Sequence, residues 1–331
     1  MGRYLFGFIL LLWGCQEKTP ELQKHTGYAL GTSYAIQYAT YKDVYETVQY
    51  GLDSIFYGVN RSMSTYLPAS DITKINRDND SLLVVDEHFV RVFKTASDVW
   101  SKTDGYFDPT VGAWVNAYGF GPTKPLTSIS DSLFKQLQNS TGWDKIRLTS
   151  KNTIQKAVPE TYLDFNALAK GYTVDLVHHY LAQMGLKNHL VEIGGELVAA
   201  GINPISNRPW TIAIDDPLQT QSRKIIHVLS LKDEAIATSG NYRKFRVDSL
   251  TGEKYVHSIN PKTGKPVKSK VLSASVKAPD CMTADAYATA LMVMPFEKSK
   301  MLIEADARLE AYWILAERDT LREAYSSGWE N

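Results

Sequence analysis

Apolar and polar residues alternate over 27–41, with Tyr34, Ile36 and Tyr38 on one side, which predicts a strand. The period then lengthens. Val44, Val48, Leu52, Ile55 and Val59 recur close to helical spacing and predict an amphipathic helix over 43–60. Ser70 and Asp71 offer N-caps for a short helix ending near Asn76. A helix over 88–103 is stopped by Gly105, and another is predicted over 130–138. Between them, residues 104–125 are rich in Gly, Pro and aromatics and read as a structured loop region. A hairpin over 143–164 leads to a helix over 167–184 that Gly185 ends. Strands at 190–193, 198–200, 210–214, 225–231, 235–237, 244–247 and 272–276 are joined by Gly-Gly and Pro turns. An Ala-rich helix over 283–294, a helix over 296–307, and a hairpin of 311–315 with 321–325 close the chain. Hairpins mixed with helices predict an α+β fold rather than a regular doubly wound sheet.

The extreme N-terminus breaks this pattern. Arg3 is followed by an almost wholly apolar run over 4–13, too short to span a bilayer as a helix but of signal-peptide length. Leu12-Trp13-Gly14-Cys15 then resembles the lipobox of bacterial lipoproteins, where the chain is cut before an acylated Cys15. A plain secretion signal or a buried strand is the alternative. If Cys15 carries lipid, Cys281 has no partner for a disulfide, and the fold rests on its apolar core. The 331 residues carry 36 basic and 36 acidic side chains, so neither nucleic acid nor a generic anionic membrane surface is an expected partner.

Four stretches hold candidate chemistry. Asp285 and Thr289 lie at i and i+4 among alanines, presenting a carboxylate and a hydroxyl on one helix face to a hard cation such as Mg²⁺. A packed helix with a capping acid has the same pattern. Asp164 ends a strand just before a helix that carries Lys170 in its first turn, an arrangement suited to phosphates and equally to an ordinary capped helix. Gly105-Tyr106-Phe107-Asp108-Pro109-Thr110 suits a loop around a flat heterocycle, or any tight loop. Thr238-Ser239-Gly240-Asn241-Tyr242 precedes His257, a candidate general base, and the turn Asn260-Pro261-Lys262-Thr263-Gly264. There is no Walker A loop, dinucleotide glycine fingerprint, HExxH or paired CxxC.

The order of these stretches is more specific than any one of them. Leu30-Gly31-Thr32, Ser64-Thr65-Tyr66 with Ser70 and Asn76, Phe107-Asp108-Pro109-Thr110, Asp164 to Asp175, Val191-Glu192-Ile193-Gly194-Gly195-Glu196, Thr238 to Tyr242, His257, Asn260-Pro261 with Thr263-Gly264, and Asp285 with Thr289 follow in turn. This series resembles the ApbE family of FAD:protein FMN transferases. The N-terminal run gives a signal peptide over 1–14 and a tether over 15–26, and the resemblance implies one two-lobed α+β domain over 27–331, with FAD in a cleft between the lobes. It implies that Leu30, Tyr66, Tyr106, Phe107, Asp108, Asp164, Lys170 and Ile259 contact FAD. Mg²⁺ would be held by Asp285, Thr289 and the Ala167 carbonyl. His257, Lys170 and Asp285 would serve catalysis, His257 by activating the acceptor hydroxyl. The implied reaction moves FMN from FAD onto a Ser or Thr of a partner flavoprotein and releases AMP. The expected place is the bacterial cell envelope, lipid-anchored and facing the periplasm.

Two departures stand out: Leu30 where the family often has Met, and Asn241 where it often has Asp; the latter is expected to be structural. Three other functions share the pattern. An FAD pyrophosphatase would use the same site with water as acceptor. A flavin-storage lipoprotein would bind FAD intact. A lipid-anchored structural protein would bind no small ligand.

Overall fold

The computed structural model describes residues 19–77, 83–123, 126, 128–217, 224–241, 245–247, 254–318 and 320–329. The proposed signal peptide, Cys15 and, from the strand and motif readings, Lys244 and Tyr242 lie outside them. Among the described residues the elements run as follows. Strands β1 (Glu21–Ala29) and β2 (Thr32–Thr40) precede helices α1 (Tyr45–Met63), α2 (Asp71–Arg77), α3 (Glu87–Lys102), α4 (Gly112–Ala117) and α5 (Asp131–Ser140). Short strands β3 (Ile146–Leu148) and β4 (Ile154–Lys156) lead to α6 (Ala169–Gln183). Then come β5 (His189–Ile193), β6 (Glu196–Ala200), β7 (Trp210–Asp215), β8 (Ile225–Leu231) and β9 (Glu234–Gly240). β10 (Phe245–Val247), β11 (Lys254–Val256), β12 (Ile259–Asn260), β13 (Lys265–Pro266) and β14 (Val271–Ala278) follow. Helices α7 (Cys281–Val293) and α8 (Phe296–Glu304) and strands β15 (Glu310–Glu317) and β16 (Thr320–Tyr325) complete the series.

Eight strands form one sheet in the order β1-β2-β5-β6-β9-β14-β15-β16, and each neighbouring pair is antiparallel. The α+β expectation holds. The sheet is covered on both faces. On one, Tyr34, Ile36, Val191 and Ile193 pack with Val48, Leu52 and Phe56 of α1 and Val174, Val177 and Leu181 of α6. A second group on this side joins α3 and α7 through Phe89, Val92, Ala284, Ala288 and Leu291. On the other face, Trp210, Ile212, Leu229 and Leu231 of the β7–β8 hairpin close over Ala199, Ile236, Tyr312 and Ile314. No helix among the described residues is long and apolar enough to cross a membrane.

The largest difference from the sequence expectation is at the start. Residues 21–26, read as tether, are the first two-thirds of β1 and pair with β2 in register from Glu21↔Thr40 to Ala29↔Thr32. As an edge strand, β1 has a single buried residue, His25, so it shows no alternation of apolar side chains. The predicted strand over 27–41 therefore spans a turn and two strands. The turn is Leu30-Gly31, with φ of 52° and 74°. Positive φ at both central residues is the type I′ hairpin geometry that matches strand twist.

Candidate active site

The centre of the candidate site lies where the N-terminal ends of α6 and α7 meet. Their approach is very close: a Cβ on Gly171 would stand 2.3 Å from the Cys281 carbonyl oxygen and 2.8 Å from Met282 Cα. Only glycine fits there. Asp175, one turn on, accepts the N–H groups of Cys281 (2.8 Å) and Met282 (2.9 Å), while Asp280 caps α7 by accepting from Thr283 N–H. These bonds satisfy amides that a helix start leaves free, and they fix α7 against α6.

That docking brings Asp285 to Lys170. Asp285 is 2% exposed, and its Oδ2 accepts the Gly171 N–H at 3.1 Å. Lys170 Nζ lies 3.6 Å from Asp285 Oδ2 and donates to Glu196 Oε1 at 2.8 Å. Burial alone would lower the Lys170 pKa, but the Asp285 and Glu196 carboxylates outweigh it and raise it. Burial pushes the Glu196 carboxyl upward, against the pull of Lys170. We take the lysine as charged, because its Nζ sits within reach of both carboxylates. The cluster thus sets two acids around one base. Cys281 is buried, and desolvation holds its thiol far above the usual range, consistent with a small core residue.

This arrangement suits a hard divalent cation. Thr289 stands one turn beyond Asp285 on α7, its Oγ1 3.4 Å from Ser239 Oγ. A regular helix would direct the Gly171 N–H to the Ala167 carbonyl; here the N–H goes to Asp285, so that carbonyl lacks its usual helical donor. A carboxylate, a hydroxyl and a relieved carbonyl are oxygen donors of the kind such cations take.

Around this centre the structure sets the other candidates at differing depths. Leu30 is half-buried at the β1–β2 tip and touches both core groups on the helical face. A non-glycine residue at φ 52° is a costly conformation held by its surroundings. Asp164 is gripped from behind: Asn76 accepts the Leu163 N–H (2.7 Å) and donates to the Leu163 carbonyl (2.8 Å), a side chain imitating a strand neighbour. Asp164 Oδ1 accepts the Asn166 N–H at 2.8 Å, and desolvation raises its carboxyl. Tyr66 stands at the rim, 61% exposed; partial burial and then the nearby Asp164 charge raise its phenol.

Two residues of the Gly-aromatic loop point inward. Phe107 is buried in the core, and Asp108 is a local cap: Oδ1 accepts from Thr110 N–H (2.8 Å) and Oγ1 (2.6 Å), Oδ2 from Trp143 N–H (3.1 Å). Both Asp108 oxygens are thus engaged, which leaves that stretch its backbone and the half-buried Tyr106 ring for a ligand. That ring lies beneath Lys262 and Lys298, whose ammonium groups share Asp104. Beside it opens a groove of about 1050 Å³ that Tyr118, Phe134, Asn260 and Phe296 help to line. Ile259 is buried against Trp114. His257 follows β11 and meets Phe120 edge-on, centroids 6.1 Å apart. Asn241 accepts from Ser258 Oγ at 2.6 Å.

Sequence reasoning quoted Glu196 within the motif series but gave it no role in the site, because Gly194-Gly195 reads as a turn between strands. The signal available was the Gly-Gly pair, which turns the chain so that β6 begins with a buried acid.

A sequence profile of the ApbE family matches residues 30–313. The FAD:protein FMN transferase of Vibrio cholerae is 36% identical over 97% of this chain and 96% of its own length. That of Escherichia coli K12 is 30% identical over 96% and 93%. Among solved structures, the flavin transferase ApbE from Vibrio cholerae superposes with a TM-score of 0.84 at 34% identity, covering 93% of this chain and 98% of that one. The apo form of the Pseudomonas stutzeri flavinyl transferase ApbE gives 0.83 at 28% identity, covering 93% and 96%.

Proposed function

The chain belongs to the ApbE family, and from that premise we propose that it is an FAD:protein FMN transferase. The acceptor is a Ser or Thr hydroxyl of a flavoprotein. Its oxygen attacks the FMN phosphorus of FAD, a new P–O ester bond forms, the bond to the bridging pyrophosphate oxygen breaks, and AMP leaves. The hydroxyl proton passes to His257. The observation that carries this reading is the Lys170–Glu196–Asp285 cluster at the joined starts of two helices, its two acids buried and its lysine partly exposed.

In this reading Lys170 faces the pyrophosphate and supplies positive charge there. Asp285, Thr289 and the Ala167 carbonyl would hold Mg²⁺, which when bound would supply charge neutralisation for phosphoryl transfer. Leu30, Tyr66, Tyr106, Asp164 and Ile259 shape the flavin pocket, with Phe107 and Asp108 contributing through their backbone. Positioning and electrostatics supply most of the catalysis in phosphoryl transfer, so a rigid two-helix junction is the fitting scaffold. The lipobox-like sequence ending at Cys15 supports a lipid anchor that holds the enzyme at the periplasmic side of a bacterial envelope membrane.

The test is incubation of the protein with FAD, Mg²⁺ and a candidate acceptor, read by intact-protein mass. The expected result is an acceptor heavier by one FMN, with AMP in solution. Free FMN and AMP with an unmodified acceptor would make the protein a pyrophosphatase. FAD left intact with a series of acceptors would make it a carrier.

A further inference from the structure

Glu196 opens β6 directly after Gly194 and Gly195, whose φ values of 68° and 106° bring the chain back on itself. The side chain is 3% exposed. It lies beneath the β1–β2 tip: a Cβ on Gly194 would stand 2.8 Å from the Thr32 side chain and 3.3 Å from Glu196 Oε2. Oε1 takes the Lys170 ammonium at 2.8 Å, while Oε2 has no hydrogen-bond partner among the described residues. A buried carboxylate with one idle oxygen is costly to the fold.

We propose that Glu196 is a positioning residue that holds the Lys170 ammonium away from Asp285 and so keeps Asp285 open to a divalent cation. The inference rests on the transferase reading, with its cation at Asp285 and Thr289. One ammonium between two carboxylates settles on the nearer: 2.8 Å to Glu196 against 3.6 Å to Asp285. If the Glu196 charge is removed, Asp285 is the only acid left among the described residues that pairs with Lys170. In a poorly solvated site that attraction is strong, and the ammonium closes on the oxygens a cation needs. The same change removes a negative charge from the neighbourhood. Both effects weaken cation binding. Removing the lysine has the opposite result, because two carboxylates are then left without a counter-charge.

The test uses Mn²⁺ as the probe, titrated into the full chain in detergent without FAD and followed by the paramagnetic resonance of the free ion. Glu196→Gln keeps an oxygen acceptor for Lys170 and removes the charge. It is expected to weaken Mn²⁺ binding by about 10–100-fold, the usual effect of losing a group behind a metal ligand. Lys170→Met is expected to tighten binding, and the double variant to return to wild-type affinity or better. A purely structural Glu196 would not produce opposite signs. Glu196→Gln that binds like wild type overturns the proposal, as does a double variant as weak as the single one. Should Glu196→Gln fail to fold, Lys170→Met binding no tighter than wild type overturns it as well. If wild type and Asp285→Ala bind Mn²⁺ equally, or neither binds, the cation reading itself falls and this inference with it.

Discussion

Asp285 does two jobs that single substitutions separate. It accepts the Gly171 N–H and it supplies negative charge to the centre. Asp285→Asn retains the acceptor, so its melting temperature is expected near wild type while FMN transfer falls at least about 100-fold, beyond the range for groups behind a metal ligand. Asp285→Ala is expected to lose transfer and also about 1–3 kcal/mol of stability, the cost of stranding a buried donor; denaturant melts alongside the mass assay check both. Leu30 separates function from fold in the other direction. Its left-handed backbone, φ 52°, costs about 1–2 kcal/mol for a residue with a Cβ. Leu30→Gly removes that strain, so stability should hold roughly constant as side-chain contacts are lost. FAD affinity is expected to weaken by at most about 1.5–3 kcal/mol, the value of a buried leucine. A calorimetric FAD titration checks this, and unchanged affinity would remove Leu30 from the flavin pocket.

At the scale of elements, the junction of α6 with α7 sets the site. Gly171→Ala places a methyl 2.3 Å from the Cys281 carbonyl. Backbone cannot give way as a side chain can, so the helices must separate, at a cost of about 1–3 kcal/mol or more. Urea unfolding would measure it, and transfer should fall with it because Asp285 moves relative to Lys170. Most elements were legible from periodicity: α1, α3, α6, α7 and the strands from β5 to β9 lie within a few residues of their expected places. β1 was hidden because Glu21, Gln23 and Lys24 lie on an edge strand that has little core to face. α4 was hidden inside a Gly- and aromatic-rich run whose glycines suggested loop; its Trp114 packs instead against Phe134. The inward turn of Asp108 was likewise not visible, since a capping acid and a ligand-facing acid look alike until Thr110 and Trp143 are seen to claim its oxygens. Ordered motifs conveyed which residues gather; they did not convey which of two carboxylates would hold Lys170.

For the molecule as a whole, stability should carry the mark of a histidine pair at the sheet. His189 Nδ1–H donates to the Leu186 carbonyl (2.7 Å), so its Nε2 accepts from His178 Nδ1–H (2.8 Å) and both rings are neutral. Burial first, then His189 and His179, lowers the His178 pKa from 6.5 to about 4. Between those values the unfolded chain binds the proton and the folded chain does not, so this group makes stability rise with pH from 4 to 6.5. Asp175 works in the opposite sense, since burial raises its carboxyl from 3.8 to about 7 and the folded state keeps its proton longer. The histidine contribution is therefore read as a difference. His178→Gln, which can still donate to His189, is expected to flatten the rise in melting temperature from pH 4 to 6.5 relative to wild type. Parallel curves would show that His178 does not titrate as described.

The bond from Gly171 to Asp285 also joins residues 114 apart in the chain. Synthesis delivers the N-terminal part first, so Lys170 and Glu196 emerge well before their third partner. Closing so long a loop is slow and comes late in folding. An unfinished chain thus carries an ammonium and one carboxylate but no assembled centre. Activity in this protein is a report that the last quarter of the chain has arrived and docked.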